Sequence, residues 1–264
     1  MTPKSITSRS NPLFKSLKRL AESSRERRET GRTLLDGIHL IEAYRAAQGD
    51  PELLVVTEEA TRPREVQALL EGGVASQAVE LPMAMFRDLA PVRTPTGVMA
   101  VINYARQGCR PAQEFCVLIE DVQDPGNLGA ILRSAAAAGA DRACLSHQCA
   151  DAWAPKVLRA GMGAHFCLGI EESVDLVTRA RRFEGQVLAA SLGAETIAFD
   201  VDMTGPVAFL IGNEGAGLSP ALEASATRRV RIPMPGPIES LNAAAAAAIL
   251  FFERVRQARQ GSGR

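Results

Sequence analysis

From Asn11 to Arg28 the apolar residues Leu13, Leu17 and Leu20 recur at helical spacing with basic residues between them, which predicts an amphipathic helix. "RTLLDG" then reads as a strand ending in a turn and "IHLIEAYRAA" as a second amphipathic helix. "PELLVVT", "SQAVELP" and "TGVMAVINYA" have strand character, separated by helical "RPREVQALLEG" and "PMAMFRDLA". A small α/β unit over residues 1–105 results, and the Gly, Pro and polar content of residues 106–113 predicts a linker.

Residues 114–264 repeat the alternation on a larger scale. The apolar strand "FCVLIEDV" is followed by a helix from Asn127, a strand at "RACLS", a helix at "APKVLRAG", a short strand at "HFCLGI" and a helix at "SVDLVTRARRF". "QVLAASL", "VAFLIG" and "RRVRIP" read as strands, with the helical "SPALEASA" between the last two and a long helix from Ser240 to about Gln257 at the end. Near-continuous apolar strands alternating with helices predict a mostly parallel sheet covered on both faces.

A length of 264 residues suits two domains, and 46% hydrophobic residues with 22 glycines and 15 prolines describe an ordinary globular chain. The basic N-terminus lacks the apolar stretch of a secretion signal, and "LNAAAAAAILFF" is too short for a membrane span. A cytoplasmic protein with no membrane partner is expected. Five cysteines cannot all pair, in keeping with a reducing compartment. "CLSHQC" (Cys144, His147, Cys149) has the residue types of a metal site but no common zinc spacing, so no metal is expected.

Net charge is zero, yet it is unevenly spread. Nine basic against three acidic residues leave +6 in the first 32 positions and −6 in the remainder. A basic segment on a neutral chain predicts a grip on a polyanion confined to one region. The competing reading is a solvated helical face, because "SSRERRET" resembles any exposed helix end.

Ligands of open α/β sheets bind beyond the carboxyl ends of strands, and three strand ends of the second unit carry unusual residues. In "DPGNLGAILR", Asn127 is either a helix N-cap or a site residue, and Arg133 must meet solvent or an anion from within an apolar run. In "FLIGNEGAGLSP", Glu214 stands among glycines that permit a tight turn close to a ligand. In "RIPMPGPIESLN", three prolines stiffen a loop that leads to Ser240, a ready N-cap, and to Asn242. The glycines of the first segment do not fit a dinucleotide fingerprint, and no P-loop lysine follows them.

Taken together, "DPGNLGAILR", "IGNEGAGLS" and "IPMPGPIESLN" resemble motifs 1, 2 and 3 of the SpoU (TrmH-type) RNA ribose methyltransferases of the SPOUT class, in order and in spacing. "SRSNPLFKSLKRL" and "RTLLDGIHLIEA" resemble the substrate-binding domain that many members carry. The resemblance implies a SPOUT α/β domain over residues 114–264 whose chain forms a deep trefoil knot, behind a smaller, ribosomal-protein-like α/β domain that binds RNA. It also implies S-adenosylmethionine as cofactor and a homodimer as the working form. By position, Leu210, Gly212, Ile232, Met234 and Leu241 would line the methyl-donor pocket. Asn127, Arg133, Glu214, Ser240 and Asn242 would form the reactive end. Arg9, Asn11, Lys15 and Lys18 would hold ribosomal or transfer RNA through its phosphates.

Methyl transfer from a sulfonium needs alignment of the acceptor oxygen and help in removing its proton, and no metal. The family's proposals give proton removal to the motif-1 arginine, here Arg133; gripping a substrate phosphate is an equally physical role, since a guanidinium keeps its proton. Two departures stand out. Motif 3 usually continues with valine and serine, whereas this chain has Ala243 to Ala246, which predicts a looser donor pocket. Asp36 stands where many relatives have glutamate. A non-catalytic RNA-binding assembly factor on the same scaffold is the alternative reading, because a fold alone does not guarantee activity.

Overall fold

The structure is a computed structural model that describes residues 2–61, 64–104 and 114–261; the expected linker at 106–113 lies outside the described residues. By its contacts the chain divides into two units, Met1–Gln107 with Trp153–Phe166, and Gly108–Ala152 with Cys167–Arg264.

The first unit holds β1 (Lys4–Ser5), α1 (Pro12–Glu22), α2 (Ser24–Thr30), β2 (Arg32–Asp36), α3 (Ile38–Gln48), β3 (Leu53–Val56), α4 (Arg64–Glu71), β4 (Gln77–Glu80), α5 (Met83–Arg87) and β5 (Val98–Asn103). Its sheet has the order β1-β4-β3-β5-β2, parallel from β1 to β3 and antiparallel at β5. The helix expected over 11–28 is broken at Ser23, whose hydroxyl accepts from the Glu26 amide and starts a new helix. Ser23 and Glu26 stand at the spacing of a capping box, a signal present in the sequence. Phe14, Leu17 and Leu20 turn α1 onto the core, leaving Lys15, Lys18 and Arg19 outside.

The second unit begins with β6 (Phe115–Ile119), α6 (Pro125–Ala137) and β7 (Arg142–Leu145). After α7 (Pro155–Gly161), which clusters with the first unit, come β8 (Gly169–Glu171), α8 (Leu176–Arg181), β9 (Gln186–Ala190), β10 (Val207–Ile211), α9 (Pro220–Glu223), β11 (Arg228–Val230) and α10 (Ala243–Gly261). The sheet order is β11-β9-β10-β6-β7-β8, parallel throughout. β6 and β10 are buried along their whole length, as continuous apolar strands require when both faces are covered. On one face Phe115 and Phe209 meet Phe251 of α10, with ring centroids 5.4–5.7 Å apart. On the other face Cys116, Leu118 and Leu210 pack with Leu176 and Leu222 of α8 and α9.

The segment Trp153–Phe166 departs from the expected division, which kept 114–264 whole. Its aromatic groups find their partners in the first unit. Trp153 stacks on Tyr104 at 4.3 Å, Phe166 meets Tyr44 edge-on at 5.3 Å, and the Thr33 hydroxyl donates to the Trp153 carbonyl at 2.6 Å. The Arg159 guanidinium pairs with Asp36, whose side chain is fully buried and whose Oδ1 has no hydrogen-bond partner. Burial outweighs the arginine and holds the Asp36 carboxyl above its ordinary value.

A carboxyl whose pKa rises on folding favours its protonated form in the folded state. Its contribution to stability is therefore present below the unfolded value and lost as pH rises through the folded one. Arg159→Met removes the opposing cation and drives the Asp36 carboxyl higher still. The variant should lose about 3 kcal/mol of stability at pH 7 and clearly less at pH 5, where Asp36 can take up a proton. Urea unfolding at both pH values measures this, and an equal loss at both would contradict it.

Candidate active site

Four loops leave the carboxyl ends of β6, β9, β10 and β11, and the last three enclose a cavity of about 440 Å³ together with the first turns of α10. That volume lies in the range of small-molecule sites. Ser191, Leu192 and Gly193 form one wall, Ile211 to Leu218 a second, and Ile232, Met234, Ser240 and Leu241 a third. Ala243, Ala246 and Leu250 close it from α10. Apolar side chains and the backbone of glycine turns share this lining with the polar groups of Ser191, Asn213, Glu214, Arg231 and Ser240.

The turn after β10 requires its glycines. A Cβ on Gly212 would stand 2.3 Å from the carbonyl carbon of Gly217, so the two arms touch backbone to backbone. The main chains of Asn213 and Gly217 exchange two hydrogen bonds of 2.9 Å, and Gly217 takes φ +70° to close the turn. Asn213 Oδ1 accepts from the amides of Gly215 and Ala216, and its Nδ2 donates to the Asp121 carbonyl at 2.7 Å.

At the edge of the cavity the three motifs meet through side chains. Asn242 Nδ2 donates to Asn127 Oδ1 at 2.9 Å, and Asn127 Nδ2 donates to Glu214 Oε1 at 2.9 Å. Asn242 Oδ1 accepts from the Ala244 and Ala245 amides, so Asn242, not Ser240, caps α10, and the helix begins at Ala243 rather than at Ser240. Asn127 is likewise freed from capping, because Asp124 Oδ1 accepts the Asn127 backbone amide at 2.7 Å and α6 starts at Pro125. Both caps follow the rule that a short polar acceptor stands immediately before the first turn.

Of the residues expected at the reactive end, Asn127, Glu214 and Asn242 form this chain, and Ser240 lines the cavity beside it. Arg133 stands apart, exposed on α6, with no ion pair among the described residues. Of the residues that the resemblance assigned to a donor pocket, Gly212, Ile232, Met234 and Leu241 line this cavity. Leu210 does not: its side chain points into the α8/α9 face of the sheet and is fully buried, because strand alternation turns it away from the mouth. Residues 191–193, Asn213 and Leu218 were not singled out in the sequence, although "SLG" after an apolar strand has the form of a strand-end turn.

In the first unit, Asn11 caps α1 through Oδ1 to the Leu13 amide, and Arg9 is engaged by Asp88 at 2.8 Å. Lys18 lies 3.8 Å from Glu22, and Lys15 is exposed. Burial pushes the Cys144 and Cys149 thiols up. Among the described residues no helix is long and apolar enough to cross a membrane.

The family model described as SpoU rRNA methylase matches residues 114–252, and a model described as an MRM3-like substrate-binding domain matches residues 11–100. The chain is 32% identical to the 23S rRNA (guanosine(2553)-2′-O)-methyltransferase RlmP of Bacillus subtilis, over 94% of this chain and 98% of that one. It is 39% identical over 150 residues to a 23S rRNA (uridine(2479)-2′-O)-methyltransferase of Streptomyces viridochromogenes, covering 53% of this chain and 52% of that one. The crystal structure of the SpoU methyltransferase AviRb of the same organism, in complex with the cofactor AdoMet, superposes with a TM-score of 0.81 at 27% identity, covering 96% of this chain and all of the other.

The crowding at Gly212 generates a sharp test. Gly212→Ala should destabilise the protein by about 3 kcal/mol and remove the cavity's ligand binding, because no flexible side chain can yield to the new methyl. Gly215→Ala, whose Cβ meets nothing closer than 3.6 Å, should stay within about 1 kcal/mol of wild type. Urea unfolding of the pair measures the difference.

Proposed function

The chain belongs to the SpoU rRNA methylase family and is an S-adenosylmethionine-dependent RNA methyltransferase, and from that premise we propose that its acceptor is a ribose 2′-hydroxyl of ribosomal RNA. The observation that carries this reading is the hydrogen-bonded chain Asn242–Asn127–Glu214, which brings residues from three separate strand ends to the rim of one cavity. Relatives named for a guanosine and for a uridine have the 2′-oxygen in common, so the acceptor group follows from the family more directly than the base does.

S-adenosylmethionine supplies a methyl made electrophilic by its sulfonium, which leaves the protein to align the acceptor oxygen and receive its proton. Asn127 holds one oxygen of Glu214, and we assign the other, Oε2, to the incoming hydroxyl. The carboxylate would orient that hydroxyl and receive its proton at Oε2. Arg133, exposed and without an internal counter-ion among the described residues, grips the acceptor phosphate. The same guanidinium is a poor proton acceptor, which is why the carboxylate takes that role.

RNA is held by the first unit through Lys15, Lys18 and Arg9. The ion pairs of Arg9 and Lys18 are exposed ones that phosphate can replace at little cost, whereas Asn11 is committed to its helix cap. The working form is a cytoplasmic homodimer. Its support is the solvent-facing apolar pair Ile249 and Phe252 on α10, 36% and 48% exposed, on the helix that carries Asn242 at its start. The same reading has the C-terminal chain threaded as a deep trefoil knot around the cavity loops. The tie from Gln257 of α10 back to Val201 and Met203, in the β9–β10 connection, is in keeping with it.

Calorimetric titration of S-adenosylmethionine, together with transfer of labelled methyl to total RNA, tests the assignment. Arg133→Ala should bind the donor as wild type does and lose transfer by raising KM for RNA. Glu214→Gln should lower kcat about 100-fold or more. Label recovered on a base instead of a 2′-O-methyl nucleoside would overturn the proposed acceptor.

A further inference from the structure

The turn Asn213–Ser219 is a cavity wall and carries Glu214, yet its own hydrogen bonds fix only its internal shape. Besides the Asn127–Glu214 bond at its tip, two feet fix its position, and both stand on the residues that follow β6. At the first foot, Asn213 Nδ2 donates to the Asp121 carbonyl. At the second, the Glu120 carboxylate accepts twice from Ser219: from its backbone amide at 2.6 Å and from its hydroxyl at 2.7 Å. Glu120 also continues the strand ladder, its amide donating to the Ile211 carbonyl at 2.8 Å. The Asp121 backbone is held at φ +54°, with its amide on Ser146 Oγ at 2.9 Å and Ser146 Oγ on Asp121 Oδ1 at 2.5 Å. A non-glycine residue in that region is uncommon and persists where its surroundings hold it.

We infer that Glu120 is a positioning residue of the donor pocket: its carboxylate clamps Ser219 and so sets the place of the 212–218 wall. Glu120 does not line the cavity, so any effect it has on the donor passes through that wall. Two short bonds to one carboxylate are of the charge-assisted kind, stronger than neutral ones, and Ser219 is also the N-cap of α9, accepting from the Leu222 amide. Cutting the clamp frees the Leu218–Ser219 end of the wall, next to the cavity, while Asn213 keeps its foot on Asp121 and Asn127 still holds Glu214. This inference rests on the donor cavity described above and is independent of which RNA accepts the methyl.

The test is calorimetric titration of S-adenosylmethionine into full-length wild type, Glu120→Ala, Glu120→Gln and Ser219→Ala, with thermal unfolding of each. Glu120→Ala should weaken donor binding about 10-fold or more, the order expected for lost charge-assisted hydrogen bonds. Glu120→Gln should stay within about 3-fold, because its amide oxygen can accept from the Ser219 amide and its NH₂ can donate to the Ser219 hydroxyl. Ser219→Ala, which keeps the backbone bond, should fall between them. A Glu120→Ala variant that binds as wild type does, or a glutamine variant as weak as the alanine one, overturns the clamp. Should Glu120→Ala fail to fold, Ser219→Ala carries the test, and wild-type affinity there overturns it. Absence of donor binding in the wild type would instead sink the cavity's assignment.

Discussion

The site depends on one contact between two backbones. Gly212 and Gly217 lie so close that a single methyl at 212 would overlap the opposite arm, and this closeness lets the chain reverse directly at the end of a fully buried strand. Because the reversal is tight, Asn213 reaches the Asp121 carbonyl, Ser219 returns to Glu120, and Glu214 is left at the tip facing Asn127. A wider turn would satisfy the same backbone groups but would fill the cavity or move the carboxylate away from its partner. The parallel sheet supplies the other half of the constraint. With β6 and β10 buried on both faces, polar chemistry has nowhere to go except the strand ends.

The amides of Asn127 and Asn242 make the arrangement directional. Each side-chain oxygen accepts and each NH₂ donates, so the Asn242 cap on α10, the Asn127 bridge and the Glu214 carboxylate fix one another's orientation in series. The carboxylate sits at the end of the series, where it is exposed to an incoming group. Arg133 is outside the series, exposed and free of internal ion pairs among the described residues.

Most of this architecture is legible in the sequence, because continuous apolar strands and glycine turns are dictated by burial and sterics. The alternation of strands and helices, the three strand-end segments and the residues Asn127, Glu214 and Asn242 can all be read directly. What cannot be read is competition among neighbours for the same job. Asp124 takes the cap from Asn127, and Asn242 takes it from Ser240; each sequence offers two good acceptors a few residues apart, and only the geometry of the first turn selects one. Leu210 stands outside the cavity lining for a related reason: a resemblance places a residue in a motif, while period-two alternation turns its side chain to the α8/α9 face. Near the N-terminus, Lys18, Arg19 and Arg25 pair with Glu22, Glu26 and Glu29, which the net +6 already includes, while Arg9 pairs with Asp88, a contact from outside the segment that a local charge count cannot reveal. The attachment of Trp153–Phe166 to the first unit was similarly hidden, because aromatic pairs such as Trp153 with Tyr104 join positions far apart in the chain.

The alanines of motif 3 take on a different meaning once the cap is known. Ala243 and Ala246 line the cavity, and Ala247 is fully buried against the unit's core. The amides of Ala244 and Ala245 are the ones that hold Asn242 Oδ1. Alanine has the highest helix propensity of any residue, so an alanine-rich first turn keeps those two amides in helical register without help from side chains. A serine at 244 would add a hydroxyl able to compete for backbone groups at the very turn that fixes Asn242. The alanines thus give a stiffer helix start at the turn whose amides hold Asn242, which is bonded in turn to Asn127 and through it to Glu214.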